Sequence, residues 1–201
     1  MFWRKIVLSA ILVLGMDSLL KAMNVPDEWM DKDTGHKIVR LSRVDGNNTG
    51  LYFHQKAFTE SGDKMIFKGD YGFYSVDMNS LKVTQLTDKS KSAVVVAPKR
   101  REIFCYNNKE NTVEKLNIDT SKVETIAKLP WRVSGLTPFS INANENMLAA
   151  AFSAGSEKFY TRPRSEWFLS IFEAKLLNRL FTVDINSGEI KVILESNSWL
   201  G

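Results

Sequence analysis

Apolar and polar residues alternate in short bursts along most of this chain, and one fifteen-residue pattern is written three times. FYSVDMNSLKVTQLT (73–87), VEKLNIDTSKVETIA (113–127) and LFTVDINSGEIKVIL (180–194) each read as a strand, a turn and a second strand. Val76, Leu116 and Val183 fall in register, as do Asp77, Asn117 and Asp184, and then Asn79, Asp119 and Asn186. Asn, Asp, Ser and Gly gather at the turn because they accept local hydrogen bonds or tolerate positive φ. The flanking runs Val83-Thr84-Gln85-Leu86 and Ile190-Lys191-Val192-Ile193 alternate with the period of a strand. A second strand–turn–strand element precedes each hairpin: AFTESGDKMIF (57–67), VVVAPKRREIF (94–104) and SINANENMLAA (140–150).

Two hairpins make a four-stranded meander, and 40 residues separate Val76 from Leu116. Four strands every 40–45 residues or so are the mark of a β-propeller blade. The next spacing is 67 residues, because an insertion sits inside the third unit. A generic antiparallel sandwich does not account for the shared register. The predicted fold is therefore all-β: an incomplete β-propeller of about three four-stranded blades, over 52–89, 92–129 and 136–196, with a short helical insertion over about 158–178. TGHKIVRLS (34–42) resembles the last strand of the motif and is expected to be an orphan outer strand. A closed ring needs at least about four blades. The chain as written is thus expected to be the front part of a longer ring, with one face of its first and of its third blade uncovered.

The first residues follow another rule. MFWRK carries two positive charges and IVLSAILVLGM (6–16) is apolar, the order found in a secretory leader. Eleven apolar residues fall short of the roughly 20 that cross a bilayer. Residues 1–22 are expected to be a signal peptide, which places the protein in the periplasm or outside the cell. Losing them brings the formal net charge from +4 to +2. That balance tolerates a polyanion without demanding one, and no nucleic-acid partner is expected. The single Cys105 excludes an internal disulfide and reads as a small buried hydrophobe. His36 and His54 are the two histidines, and neither has a second His or Cys at ligand spacing. No nucleophile elbow, phosphate loop or dinucleotide fingerprint is present.

Several segments resemble the N-terminal half of the oligogalacturonate lyases, propeller enzymes of pectin breakdown. They are Tyr52-Phe53-x-Gln55-Lys56 with Phe58-Thr59, the Gly62-Asp63-Lys64 turn, Gln85-Leu86-Thr87, and the closing Trp199-Leu200-Gly201. The resemblance runs from about residue 31 to the end. Thr49-Gly50 stand where the family carries a His-Arg pair. The resemblance implies β-elimination on oligogalacturonides, with a His base, an Arg, and Mn²⁺ held by several His and a Gln. In the family these groups follow the Trp-Leu-Gly segment, so none is carried over to a residue of this chain, which is expected to be inactive by itself. A non-catalytic propeller of the TolB kind, or a sugar-binding one, is the alternative.

Two groups are candidates for contact with an acidic sugar. Tyr52, His54, Gln55 and Lys56 are expected to enter the innermost strand of the first blade, offering an aromatic face and polar donors; otherwise Tyr52 packs between blades and Lys56 is solvated. In the insertion, Ser165 is a candidate helix cap, and Trp167, Phe168, Ile171, Phe172, Leu176 and Leu177 form an apolar stripe. Lys158, Arg162 and Arg164 precede that helix, and guanidinium groups engage carboxylates bidentately. Arg132 is a weaker member of the same basic group. The alternative is a helix that merely covers the blade behind a solvated basic rim.

Overall fold

The three repeated hairpins close on one hydrogen-bond pattern. In the computed structural model, which describes residues 26–133 and 135–197, Asp77 Oδ1 accepts from the N–H of Asn79 at 3.1 Å and of Ser80 at 2.8 Å, and from Ser80 Oγ at 2.9 Å. Asn117 does the same with Asp119 and Thr120, and Asp184 with Asn186 and Ser187. The next residue turns left-handed in each: Leu81, Ser121 and Gly188. At the third turn glycine is needed for space as well, since a Cβ there would lie 2.5 Å from the carbonyl oxygen of Ile126. The expected leader and the Trp199-Leu200-Gly201 ending lie outside the described residues.

The chain divides after Arg43 into two units. In the first, β1 (Glu28–Met30) and β2 (Lys37–Val39) pair antiparallel. Their turn repeats the pattern above: Asp31 Oδ1 accepts from Thr34 N and Oγ1 at 2.7 and 2.6 Å, and Gly35 has φ 69°. The strand expected to be an orphan is thus half of a hairpin. Asp31 and Gly35 stand four residues apart, as Asp184 and Gly188 do, and that spacing supplies the partner strand.

The second unit holds three antiparallel four-stranded sheets, each in chain order. The first is β3 (Asn48–Gly50), β4 (Lys64–Gly69), β5 (Gly72–Asp77) and β6 (Val83–Gln85). The second is β7 (Lys91–Ala97), β8 (Glu102–Asn107), β9 (Thr112–Asn117) and β10 (Val123–Lys128). The third is β11 (Ser140–Ile141), β12 (Met147–Ser153), β13 (Asn178–Asp184) and β14 (Ile190–Ser196). A 3-10 turn (Ser156–Phe159) and helix α1 (Arg164–Glu173) interrupt the third sheet between β12 and β13. Pro163, not Ser165, occupies the cap position, and no side chain caps the helix. Pro163 has φ −52° but ψ 142°, outside the helical range, so the first turn starts at Arg164. Leu176 and Leu177 fall beyond the helix end.

Strand alternation divides the middle sheet between its neighbours. Val94, Val96, Ile103, Cys105 and Leu116 pack with Ile66, Phe73 and Leu86 of the first sheet. Val95, Phe104, Tyr106 and Val113 point the other way, against Leu148, Phe152, Phe181 and Val183 of the third. A strand buried on both faces reads as a continuous apolar run, and Ala93–Ala97 and Ile103–Tyr106 are such runs. The first sheet does not leave its far face open as expected: Phe67, Tyr74 and Val76 are buried. Phe67 and Tyr74 stack at 5.4 Å, and the Tyr74 ring lies over Gly69, where a Cβ would come within 2.8 Å of it. The third sheet does expose apolar residues, with Val192, Ile193 and Leu194 of β14 open to solvent.

Polar clamps join the sheets at their first turns. Arg101 lies between two carboxylates, bidentate to Asp63 at 2.8 and 2.8 Å and to Asp119 at 2.7 and 2.9 Å. Lys64 adds a 2.8 Å contact to Asp119. Between the second and third sheets, buried Glu145 accepts from the N–H groups of Lys99 and Arg100 at 3.2 and 3.0 Å. Gly62, Arg101 and Glu145 hold the same left-handed place in the three turns.

Candidate functional site

The inner strand of the first sheet is broken. β3 pairs with β4 as far as Gly50 opposite Phe67, and pairing resumes at Phe58 opposite Met65. The residues expected to enter the innermost strand therefore sit on a loop that leaves it. Gln55 makes this happen. Its N–H donates to Tyr52 O at 2.8 Å, and its Oε1 accepts from Tyr52 N at 3.1 Å. Its Nε2 donates to Val94 O on β7 at 3.0 Å. Both ends of the amide are spent on closing the loop and tying it to the middle sheet. Gln55 thus positions its neighbours.

Those neighbours are rings. Tyr52 is 61 % exposed and Phe53 86 %. Their centroids lie 4.5 Å apart, and His54 stands 4.9 Å from Tyr52 and 5.4 Å from Phe53, edge-on to both. Beside them opens a cavity of about 800 Å³, lined by the 52–56 loop, by the second and third sheets and by the turns that adjoin them. That is within the range of roughly 300–1,000 Å³ typical of small-molecule sites. Val95, Val96, Phe139 and Ile141 give it apolar surface, and Tyr52, His54, Lys56 and Lys99 line it as well. Thr137, Ser140 and Asn142 add hydroxyl and amide groups. Glu145 also borders it, but its carboxylate is compensated by the two backbone donors of the clamp. Lys99 Nζ donates to Ala143 O at 3.1 Å. Lys56 makes no ion pair among the described residues. Apolar floor, hydroxyls and two ammonium groups together suit a polyhydroxylated anion.

The second basic group lies elsewhere. Lys158 and Arg162 rest near the Phe159 ring, at 5.1 and 5.6 Å, and Arg162 Nη1 donates to Ser170 Oγ at 2.9 Å. Arg132 is exposed, and Arg164 opens α1 with a side chain outside the described set. A smaller cavity of about 240 Å³ adjoins the insertion, between Phe152, Tyr160, Trp167 and Ile171. Lys158, Arg162 and Arg132 line neither cavity.

Sequence reasoning missed Phe53, Lys99, Phe139 and Asn142. Three cations in the turn Lys99-Arg100-Arg101 were the available signal, but they diverge: Arg100 pairs with Glu102 and Arg101 with the two aspartates. Only Lys99 borders the cavity. Other reactive-looking groups are structural. Burial pushes the Cys105 thiol up to about 12, which keeps it protonated. Burial also works to raise Glu114, yet hydrogen bonds from Lys91, Asn107 and Thr112 outweigh it and keep it ionised.

The sequence model of the family described as oligogalacturonate lyase matches residues 22–201. The chain belongs to the oligogalacturonate lyase family. It is 26% identical over 182 residues to the oligogalacturonide lyase of Pectobacterium atrosepticum, and 25% to the oligogalacturonate lyase of Dickeya dadantii. Each alignment covers 86% of this chain and 46% of the relative, so the chain spans about half their length. A solved oligogalacturonate lyase in complex with manganese superposes with a TM-score of 0.73 at 26% identity, over 87% of this chain and 48% of that one. The Vibrio parahaemolyticus oligogalacturonate lyase gives 0.71 at 26%, over 87% and 47%. TolB from Acinetobacter baumannii gives 0.50 at 16%, a likeness of fold alone. The three sheets are thus propeller blades. Among the described residues no three His, Cys, Asp or Glu side chains come together to hold a metal, and His54 is packed with two rings. These residues do not fit a manganese site.

Proposed function

We propose that the protein serves pectin breakdown by holding oligogalacturonides in the cavity beside the 52–56 loop. The reaction served is β-elimination: a base removes the C5 proton, the C4–O bond breaks, and the leaving sugar takes the electron pair, giving a C4–C5 double bond. In this reading Lys56 and Lys99 meet substrate carboxylates, and Tyr52 and His54 face the sugar. The base and the Mn²⁺ ligands lie outside the described residues. Arg132, Lys158, Arg162 and Arg164 are a separate basic group for more distant units of the polyanion. The leader order of residues 1–22 supports action in the periplasm or outside the cell, and among the described residues no helix is long and apolar enough to cross a membrane.

The observation that carries this reading is a cavity lined by the 52–56 loop and by the second and third blades, with an apolar floor, exposed rings and two lysines, in a chain of this family. Calorimetric titration with trigalacturonate tests it. The 201-residue chain should bind, and the double variant Lys56→Ala/Lys99→Ala should bind at least about tenfold more weakly, as expected for two charge-assisted contacts. Added salt should shrink that difference. Equal binding by the variant, or none by the wild type, contradicts the reading. Ultraviolet absorbance of unsaturated product from this chain alone, with or without Mn²⁺, would contradict the placing of the reactive groups elsewhere.

A further inference from the structure

The three rings of the loop have no structural task that accounts for their exposure. Phe53, at 86 %, is the most exposed of the large apolar side chains in the described chain. Exposed apolar groups in a rigid setting mark contact surfaces more often than scattered ones do. Here the setting is rigid, because Gln55 ties the loop to itself and to Val94. Tyr52 and His54 also line the cavity, so the cluster adjoins the lysines proposed to meet carboxylates.

We infer that the exposed face of Phe53, buttressed by Tyr52 and edge-on His54, forms a stacking platform for a galacto-configured uronate unit, and that this unit is not the one being cleaved. The inference rests on the oligogalacturonide reading above. Its chemistry is stereochemical. In galacturonate the axial C4 hydroxyl leaves the hydrogens of C3, C4 and C5 on one face of the ring. That face is apolar and carries slight positive charge, which matches the negative face of an aromatic ring. In glucuronate the C4 hydrogen lies on the opposite face and the patch is smaller. The platform therefore selects configuration, while the lysines select charge.

The same geometry says which unit stacks. Elimination removes the C5 hydrogen, and C5–H belongs to the stacked face. A ring lying on it shuts out any base. The platform must hold a neighbouring unit, so it acts by positioning the chain of sugars. Phe53 is a specificity residue in this account and takes no part in proton transfer.

Phe53→Ala and Phe53→Trp separate this from general adhesion. Both change a side chain in solvent, so the fold should tolerate them. Titrated with trigalacturonate, Phe53→Ala should lose about tenfold in affinity, and Phe53→Trp should keep or improve it. A gluco-configured uronate trimer of equal charge should bind the wild type more weakly and lose little on Phe53→Ala. If Phe53→Ala binds trigalacturonate as the wild type does, the platform is wrong and the cavity reading stands. If it loses equally for both sugars, the configurational selection is wrong. If the wild type binds neither, the oligogalacturonide reading falls, and the platform with it.

Discussion

Two segments interrupt the blades of this protein, and they are built differently. The 52–56 loop breaks the inner strand of the first blade and is tied across to the second by Gln55. The insertion between β12 and β13 folds into its own turn and helix, and its described cations rest near its own Phe159 or on Ser170. The loop adjoins a cavity backed by the core residue Phe139, whereas helix α1 shows Leu169 and Phe172 to solvent. A short segment anchored to a neighbouring blade can hold side chains toward a shared cavity. A longer segment satisfied by its own contacts need not, even when it carries more arginine. Among the described residues, the lysines that border the larger cavity are Lys56 and Lys99, and neither belongs to the insertion.

The contrast is sharpest in stability. Phe139 is 1 % exposed and joins the core between the second and third blades, so Phe139→Ala should cost about 3–5 kcal/mol by chemical denaturation. Phe172 is 58 % exposed, and Phe172→Ala should stay within about 0.5 kcal/mol. Similar losses for the two would mean that α1 is as integral as the cavity floor.

A smaller effect is expected at the clamp between the first two blades. Hydrogen bonds from Arg101 hold the Asp63 and Asp119 carboxyls well below their ordinary range. Depressed folded-state values contribute stability above the unfolded carboxylate pKa, near 4, which is lost as pH falls. All three side chains are about one-third exposed, so solvent screens the pairing and the gain is modest. Arg101→Ala should lower the melting temperature at pH 7, and the gap to the wild type should narrow as pH drops from about 4 toward 2. A gap independent of pH would assign Arg101 a packing role only.

Much of this architecture was legible in the residues. The shared register of Asp77, Asn117 and Asp184 announced three equivalent turns because one side chain closes each of them. The two-faced middle blade was not read from the sequence, although the unbroken run Ala93–Ala97 carries it; the structure shows which neighbour each side meets. The hairpin partner of 34–42 was missed, although Asp31 and Gly35 repeat the spacing of Asp184 and Gly188. That strand is three residues long and too short to alternate visibly. At the candidate site, residue type singled out Tyr52, His54 and Lys56, which line the cavity. The role of Gln55 was not, since its partner Val94 lies 39 residues away. Nor was Lys99, because nothing local distinguishes it from Arg100 and Arg101. Their separate destinations are set by neighbouring blades.

A crystal of the chain soaked with trigalacturonate tests the central claim most directly. The account predicts sugar density in the cavity bordered by Lys56, Lys99 and Phe139, with one pyranose lying flat against the Phe53 cluster. Density beside Lys158 and Arg162 at the helical insertion, with the 52–56 loop bare, would contradict it.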